Sequence, residues 1–165
     1  MDNISFSPEN YGLLDLLPLG IIILKSDMTV LHWNRCLEDW SGIKSEQICS
    51  TILTDFYHHL NQAKYLSRLE SVFATGHPVV FSAQLHKHFI PIEVSDGFTR
   101  LQQTTITPVI TADETLALVA IQDVTDPLKS LAENRKMRKE LEIVNEKLED
   151  LLALSEMTRI KNAYK

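Results

Sequence analysis

Apolar residues recur at strand-like spacing in five stretches of the first 126 residues, and turn residues separate most of these stretches. The first two stretches are joined across Ser26-Asp27-Met28, which predicts a hairpin. The segment 89–97 is apolar but interrupted by proline and glycine, so it is predicted as a loop, with a short strand over 89–94 as the alternative. The five predicted strands are 19–24, 29–33, 79–85, 99–110 and 116–122.

Helical patterns lie before the first strand and between the second and third. Ser7 is a candidate N-cap for a short helix starting at Pro8, and Asn34 for a helix over 35–40. A longer helix is predicted over 63–74, where apolar residues follow the helical period. This order predicts an α+β domain, a five-stranded antiparallel sheet with helices on one face.

A polar junction ends the last predicted strand and begins a long C-terminal helix. The strand is followed by Gln122-Asp123-Val124-Thr125-Asp126 and then Pro127. Short polar side chains accept hydrogen bonds from free N–H groups at a helix start, and proline suits the first turn. From this pattern we divide the chain into an N-terminal segment 1–12, a folded domain 13–126 and a helix 127–165.

The C-terminal helix carries a heptad pattern when Leu141 is placed at position a. Two good heptads predict a weak parallel coiled-coil dimer, and Asn134 at an a position favours a two-stranded register. Leu152 and Leu154 widen the apolar stripe, so a helical bundle or packing against another domain is the alternative. The predicted dimer residues are Asn134, Met137, Leu141, Val144, Leu148 and Leu151.

Composition restricts the classes of function. The net charge of −6 does not supply the basic face that nucleic-acid binding requires. No apolar run approaches the roughly 20 residues that span a bilayer, and no secretory signal pattern is present. Two cysteines form neither a disulfide framework nor a zinc motif, which fits the reducing cytoplasm.

Five short motifs follow one another along the chain: LDLLPLG at 14–20, DMTVLHWN at 27–34, Trp40-Ser41-Gly42, Ala74-Thr75-Gly76 and IQDVTD at 121–126. Taken together and in this order, they resemble the PAS sensory domain over about residues 10 to 126. The segment 86–100 departs from the short charged turn common in that family. Its apolar character suggests a lid or an altered pocket rim.

The resemblance implies a sensory module and not a catalyst. Such domains hold a small molecule or cofactor between sheet and helices, or only mediate dimerisation. An output module such as a histidine kinase or a diguanylate cyclase is then switched through the helix. Asp123 and Thr125 are similar to the element that couples sheet to output helix, and a simple helix cap is a compatible role.

Haem, flavin and metal are each disfavoured as cofactors. In haem-binding PAS proteins the iron ligand lies on the long helix, where this chain has Tyr65 near the expected place and His58 and His59 two turns earlier. Neither Cys36 nor Cys49 lies in the loop motif of flavin photochemistry. The histidines lack carboxylates or thiolates at ligand spacing, and no phosphate loop or nucleophile motif occurs.

An apolar pocket with a few polar groups remains the expected ligand site, with a filled core and no ligand as the alternative. Strand alternation and the helical face select its candidate residues, of which His32, Asn34, Tyr65 and Gln122 are polar. The full set is Ile21, Ile23, Val30, His32, Asn34, Trp40, Phe56, Tyr65, Leu69, Phe73, Phe81, Leu118 and Gln122.

The favoured hypothesis is a sensory and dimerisation module of a cytoplasmic signalling protein of bacterial type. Its partners would be a second copy of the chain, an output domain and a small apolar ligand. The alternative is a free-standing small-molecule binding protein or an unrecognised enzyme on the same fold. The long helix favours the first hypothesis.

Overall fold

The computed structural model describes residues 8–94 and 97–163. The chain forms two compact units, one up to Thr125 and one from Asp126 onward. The first unit contains a sheet and short helices. The second is the continuation of one long helix, α6 (Thr125–Ala163).

Five strands of the first unit form an antiparallel sheet in the order β2-β1-β7-β6-β3. This sheet, with helices on one face and a long helix after it, confirms the predicted fold class. The strand β1, between β2 and β7, is buried along its whole length, as its unbroken apolar sequence predicts. The strands are β1 (Gly20–Leu24), β2 (Val30–Trp33), β3 (Val79–Phe81), β6 (Gln102–Ile110) and β7 (Thr115–Asp123).

A second, two-stranded sheet is formed by β4 (Glu93–Val94) and β5 (Phe98–Thr99). β4 lies within the segment 89–97 predicted as a loop and forms part of the short strand 89–94 considered there as the alternative, whereas β5 follows that segment. The predicted strand 99–110 is therefore split, because Phe98–Thr99 pairs with Glu93–Val94 and the long strand starts only at Gln102.

A bulge interrupts the pairing of β1 with β2. Ile23 pairs with His32, whereas the next residue, Leu24, pairs with Val30, so β2 contributes one extra residue. Such a bulge breaks the alternation of side chains between the two faces of a strand. Val30 consequently joins the buried core on the helix side, and His32 shares the opposite face with Ile23.

Two predicted helices, over 35–40 and 63–74, end at glycines. The Asn34 side chain caps α1 by accepting from the Leu37 N–H, and α1 and α4 end at Gly42 and Gly76 with left-handed backbone. The helices are α1 (Arg35–Ser41), α2 (Ser45–Ile48), α3 (Leu53–Phe56), α4 (Ala63–Thr75) and α5 (Ala83–His86), with 3-10 turns at Pro8–Leu16 and His58–Asn61.

The strand predicted over 79–85 is shorter than expected, and the short helix predicted from Pro8 is of the 3-10 type. The predicted strand 79–85 ends at Phe81, because the Ser82 hydroxyl accepts from the Leu85 N–H and caps α5. The predicted cap Ser7 lies outside the described residues, and the segment that follows, Pro8–Leu16, is a 3-10 helix.

The core lies between the sheet and the helices. Ile22, Ile106 and Val119 contribute from the sheet, and Tyr65 and Leu69 contribute from α4. Among the described residues, no helix has both the length and the apolar character required to cross a membrane.

Gly20 is required by close packing between β1 and α1. A Cβ atom at this position would lie 2.6 Å from Leu37 Cδ2 and 2.9 Å from Leu37 Cγ, and Leu37 is fully buried. We expect Gly20→Ala to lower the free energy of unfolding by about 1–3 kcal/mol, because the Leu37 side chain must move within a packed core. Urea denaturation measures this change.

Gly12→Ala is the matched control, since a Cβ atom there meets nothing within 4 Å. The control should change stability by less than about 0.5 kcal/mol. Equal losses in the two variants would show that the contact with Leu37 is not the cause.

Candidate functional site

The segment 87–92, here called the core segment, contributes three apolar side chains to the interior next to the sheet. Phe89, Ile90 and Ile92 are at most 2% exposed and belong to the same apolar cluster as Phe81 and Leu69. The sequence suggests a lid or pocket rim here, and the structure corrects that expectation. The apolar side chains of this segment supply core contacts between sheet and helices, so they are not placed at a pocket rim.

The buried side chain of Gln102 holds the core segment in place. Its Oε1 accepts from the N–H groups of Phe89 and Ile90, each at 2.9 Å, and its Nε2 donates to the Ile90 carbonyl at 2.6 Å. Gln102 is 1% exposed. A buried amide is stable only when its donors and acceptors are paired, and here the backbone of the core segment supplies the partners.

A histidine contacts the core segment from the helical side, and an aromatic ring contacts it from the sheet. The Nε2–H of His59 donates to the Phe89 carbonyl at 3.0 Å, since a carbonyl can only accept. The ring of Phe89 lies 5.5 Å from that of Phe81, and His59 lies 5.4 Å from Tyr65 in an edge-on arrangement. The core segment is thus held between the sheet and the turn that precedes α4.

Burial opposes protonation of the histidines around this cluster. The pKa of His59 is lowered by burial, and the pKa of His88 is lowered by burial and then by the nearby charges of His59 and Lys87. The ring centroids of His59 and His88 are 6.3 Å apart, and His88 Nδ1 is buried without a hydrogen-bond partner among the described residues. Within that same part of the chain, no three metal-ligating side chains converge.

The predicted pocket residues divide between the two faces of the sheet. Val30, Tyr65, Leu69 and Phe81 face the core, with Phe73 packed against it. Five other candidates lie on the opposite face of the sheet. Residues paired across neighbouring strands share a face, and these five alternate along their strands with residues of the core. Those residues are Ile21, Ile23, His32, Leu118 and Gln122.

The remaining candidates lie at the margins of the core. Phe56 is 41% exposed on α3, and Trp40 packs at the edge of the cluster. His32 lies 3.6 Å from the Asp15 carboxylate, and burial lowers its pKa while Asp15 partly opposes that shift. Trp40 thus borders the cluster that contains Phe89, whereas Phe56 and His32 lie outside it, so the thirteen candidates are not brought together in one place.

Asn34 has a structural role that uses its full hydrogen-bonding capacity. Its Oδ1 accepts from the N–H groups of Ile21 and Leu37, and its Nδ2 donates to the carbonyls of Leu14 and Leu19. This fully buried side chain therefore joins the N-terminal 3-10 segment, β1 and α1. No donor or acceptor is left for a ligand.

The junction predicted at the end of β7 is built around Asp123 and Thr125. Asp123 Oδ1 accepts from the N–H and the hydroxyl of Thr125, at 3.0 and 2.6 Å, and the other carboxylate oxygen pairs with Arg100. Thr125 Oγ1 in turn accepts from the Leu101 N–H at 2.9 Å. The Arg100 guanidinium lies over the Trp40 ring at 5.2 Å. We call these four residues, Arg100, Leu101, Asp123 and Thr125, the junction network.

The electrostatics of the junction keep Asp123 charged. Burial acts to raise the pKa of its carboxyl, but the hydrogen bonds from Thr125 and the Arg100 guanidinium outweigh burial and lower the pKa. A charged carboxylate accepts the helix-start hydrogen bonds more strongly than a neutral one. The predicted positions of Asp123 and Thr125 at the helix start are those observed.

Sequence reasoning missed Arg100, Leu101 and Gln102. Their partners lie 12 to 24 residues away along the chain, which no local period reveals. The sequence does contain one indication of the buried glutamine. Gln102 and Gln103 are adjacent in a strand, and strand alternation requires one of two such neighbours to face inward.

On α6 the predicted dimer positions are exposed in the single chain. Met137, Leu141, Val144, Leu148 and Leu151 are each between 55% and 63% exposed. Asn134 lies with Leu131, Met137 and Leu141 along one shallow groove of the helix surface.

Comparison with known proteins identifies the family. Residues 14–128, more than half of the chain, match the sequence profile of the PAS fold. The chain belongs to the PAS family. A comparison with curated protein sequences finds no significant match.

Solved PAS structures share this architecture. The PAS domain of Bordetella pertussis BvgS has a TM-score of 0.55 at 15% identity, covering 78% of this chain and 93% of that one. A sensory box sensor histidine kinase from Vibrio cholerae has a TM-score of 0.53 at 19% identity, covering 69% and 87%. The PAS domain of nitrogen regulation protein NR(II) from Vibrio parahaemolyticus has a TM-score of 0.50 at 15% identity, covering 71% and 99%. At these identities the likeness shows the fold.

Burial of His88 predicts a pH-dependent stability. Because its folded-state pKa is lowered, the unfolded chain binds more protons, and stability is lost as pH falls through the ordinary histidine pKa near about 6.5. We expect His88→Phe to flatten the decline in unfolding free energy between pH 7 and pH 5. Denaturant titration at several pH values measures that decline.

His77→Phe replaces an exposed histidine beyond α4 and is the matched control. We expect it to keep the pH dependence of the original chain. An unchanged decline in His88→Phe would contradict the interpretation that burial of this ring disfavours its charged form.

Proposed function

We propose that this chain is the sensory and dimerisation module of a cytoplasmic signalling protein, and that it relays the state of its PAS domain to an output domain through α6. The observation that carries the proposal is the junction network. It joins the end of β7, the start of α6 and the stretch before β6 through charged and neutral hydrogen bonds.

The chemistry of the network supports transmission over simple capping. A helix cap requires only that Asp123 or Thr125 accept a backbone N–H at the helix start. Here Thr125 also accepts from the Leu101 N–H, and the Leu101 carbonyl accepts from the Val124 N–H at 2.9 Å, so the residue that precedes β6 is bonded both to the residue that follows β7 and to the first residue of α6. A displacement of the sheet at Leu101 would therefore act on the helix start directly.

The exposed stripe on α6 supports a second copy of the chain as the partner of this helix. Apolar a and d residues that are more than half exposed gain free energy by pairing, and Asn134 at an a position pairs best with itself in a parallel register. The parallel homodimer and the heptad register are parts of the proposal.

For the output domain we propose a histidine kinase, with a diguanylate cyclase as the other class. The supporting observation is that one solved structure of similar fold is described as a sensory box sensor histidine kinase. The proposed role is non-catalytic and non-nucleic-acid-binding, and any small apolar ligand would contact Val30, Tyr65, Leu69 and Phe81 on the core side of the sheet.

The first test is the native mass and absorption spectrum of the purified protein. We expect a dimer of the 18.8 kDa chain at micromolar concentration. Excess mass or visible absorption would identify a bound ligand. A strictly monomeric protein would contradict the dimerisation part of the proposal.

Leu148→Ala tests the heptad register. Leu148 occupies an a position and is 55% exposed in the single chain. Truncation at a position that packs against the partner removes apolar contact from both helices, so we expect the dimer dissociation constant to rise at least about tenfold. Sedimentation equilibrium measures the constant.

Ile143→Ala is the matched control for that variant. Ile143 is 51% exposed but lies at position c, away from the predicted seam. Its dissociation constant should stay within about threefold of that of the original chain, since its contacts do not change on pairing. Equal weakening by both variants would show that the helix associates through a wider surface, as in a bundle.

Asp123→Asn tests the charge at the junction. The variant keeps the shape of the side chain but weakens its bonds to Arg100 and Thr125, so we expect unfolding free energy at pH 7 to fall by about 1 kcal/mol, allowing for partial exposure. Because the pKa of Asp123 is lowered in the fold, its contribution is lost as pH falls below the ordinary aspartate value, and the difference between variants should shrink there.

Asp113→Asn, in the exposed turn between β6 and β7, is the control for loss of one negative charge. It should leave stability within about 0.5 kcal/mol of the original chain. A pH-independent loss in Asp123→Asn would argue that the carboxylate charge is not what holds the junction.

A further inference from the structure

Three consecutive residues, Arg100, Leu101 and Gln102, connect the core segment to the start of α6. On one side, the Arg100 N–H donates to the Ile92 carbonyl at 3.0 Å and the Gln102 N–H donates to the Lys87 carbonyl at 2.8 Å. The Gln102 side chain adds its bonds to Phe89 and Ile90. We call residues 100–102 the connector.

The opposite side of the connector belongs to the junction network. Leu101 donates its N–H to Thr125 Oγ1 and accepts from the Val124 N–H. The Arg100 guanidinium pairs with Asp123. Neighbouring peptide groups of the connector thus bond alternately to the core segment and to the helix start, and a rotation of one peptide plane changes both sets of bonds.

The paired amide of Gln102 favours a fully seated core segment over a partly seated one. With the segment in place, the buried amide has three backbone partners. Release of the segment would break all three bonds, and the N–H groups of Phe89 and Ile90 would lose their acceptor. Buried networks of this kind are costly when partly satisfied, which disfavours intermediate positions.

We propose that the core segment is a built-in occupant of the sensor interior, and that its seating on Gln102 is coupled through the connector to the Asp123–Thr125 junction. Seating Phe89 and Ile90 orders the connector, and the ordered connector places the Leu101 N–H against Thr125. The inference rests on the proposed function, because it specifies which state of the PAS domain is passed to α6, namely whether the core segment is seated.

The coupling is reciprocal by thermodynamic necessity. If seating of the core segment favours the Leu101–Thr125 bond, then loss of that bond must favour release of the segment by the same factor. Local opening of both regions should therefore be measurable from either end, by amide hydrogen exchange recorded residue by residue.

Gln102→Leu in the full chain is the first variant. We expect exchange of the Phe89 and Ile90 amides to accelerate by about tenfold or more, because their acceptor is removed. We also expect the Leu101 and Val124 amides, which do not contact the Gln102 side chain, to accelerate with them. Amides of β1 should keep their exchange rates.

Gln103→Leu is the matched control, since Gln103 is the adjacent glutamine of β6 and is exposed. It should change none of these rates. Acceleration confined to Phe89 and Ile90 in Gln102→Leu would overturn the coupling. Equal acceleration throughout β1 would also overturn it, because global destabilisation would then account for the result.

Thr125→Val provides the reciprocal test and decides the question if Gln102→Leu does not fold. It removes the acceptor of the Leu101 N–H at a half-buried position. We expect faster exchange at Leu101 and, through the connector, at Phe89 and Ile90. Unchanged rates at Phe89 and Ile90 would overturn the proposal.

These measurements are separate from the test of dimerisation. If the dimer forms normally but Thr125→Val does not change exchange in the core segment, the coupling is contradicted and the proposed signal relay through α6 is not. If the chain is monomeric but shows the coupled exchange, the proposed dimer is contradicted and the coupling is supported.

Discussion

The hydrogen bonding of one buried amide, Gln102, is the constraint on which the interior of this domain depends. Its side chain satisfies the backbone of Phe89 and Ile90, which allows an irregular segment to enter an apolar core without unpaired polar groups. That segment contributes three fully buried apolar side chains next to the sheet. The packing of sheet against helices follows from this seating.

Asn34 is a second buried amide that holds neighbouring backbone segments together. Its amide joins the N-terminal 3-10 segment to β1 and α1, while Gln102 joins the core segment to β6. Both side chains bond to backbone groups: those of β1, α1 and the N-terminal 3-10 segment for Asn34, and those of the core segment for Gln102. Two buried amides thus anchor the connections that the sheet itself does not hold, and Gln102 lies beside the residues that bond to the start of α6.

Local signals predicted most of the secondary structure and failed at identifiable places. The continuous apolar run of β1, the Asn34 cap and the glycines that end α1 and α4 are short-range features, and they were read correctly. Strand alternation by itself predicts that Val30 and His32 share a face, whereas the bulge in β2 places them on opposite faces, because alternation cannot reveal an extra residue.

The sequence by itself determined the family, the order of strands and helices, and the positions of Asp123 and Thr125 at the start of the long helix. These follow from periodicity, capping and motif order, which act over a few residues at a time. Only the tertiary structure decided that the segment around Phe89 fills the core and that Arg100, Leu101 and Gln102 link it to the junction. The physical reason is that each of these bonds joins residues 12 or more positions apart, and their pairing depends on the register of folded strands.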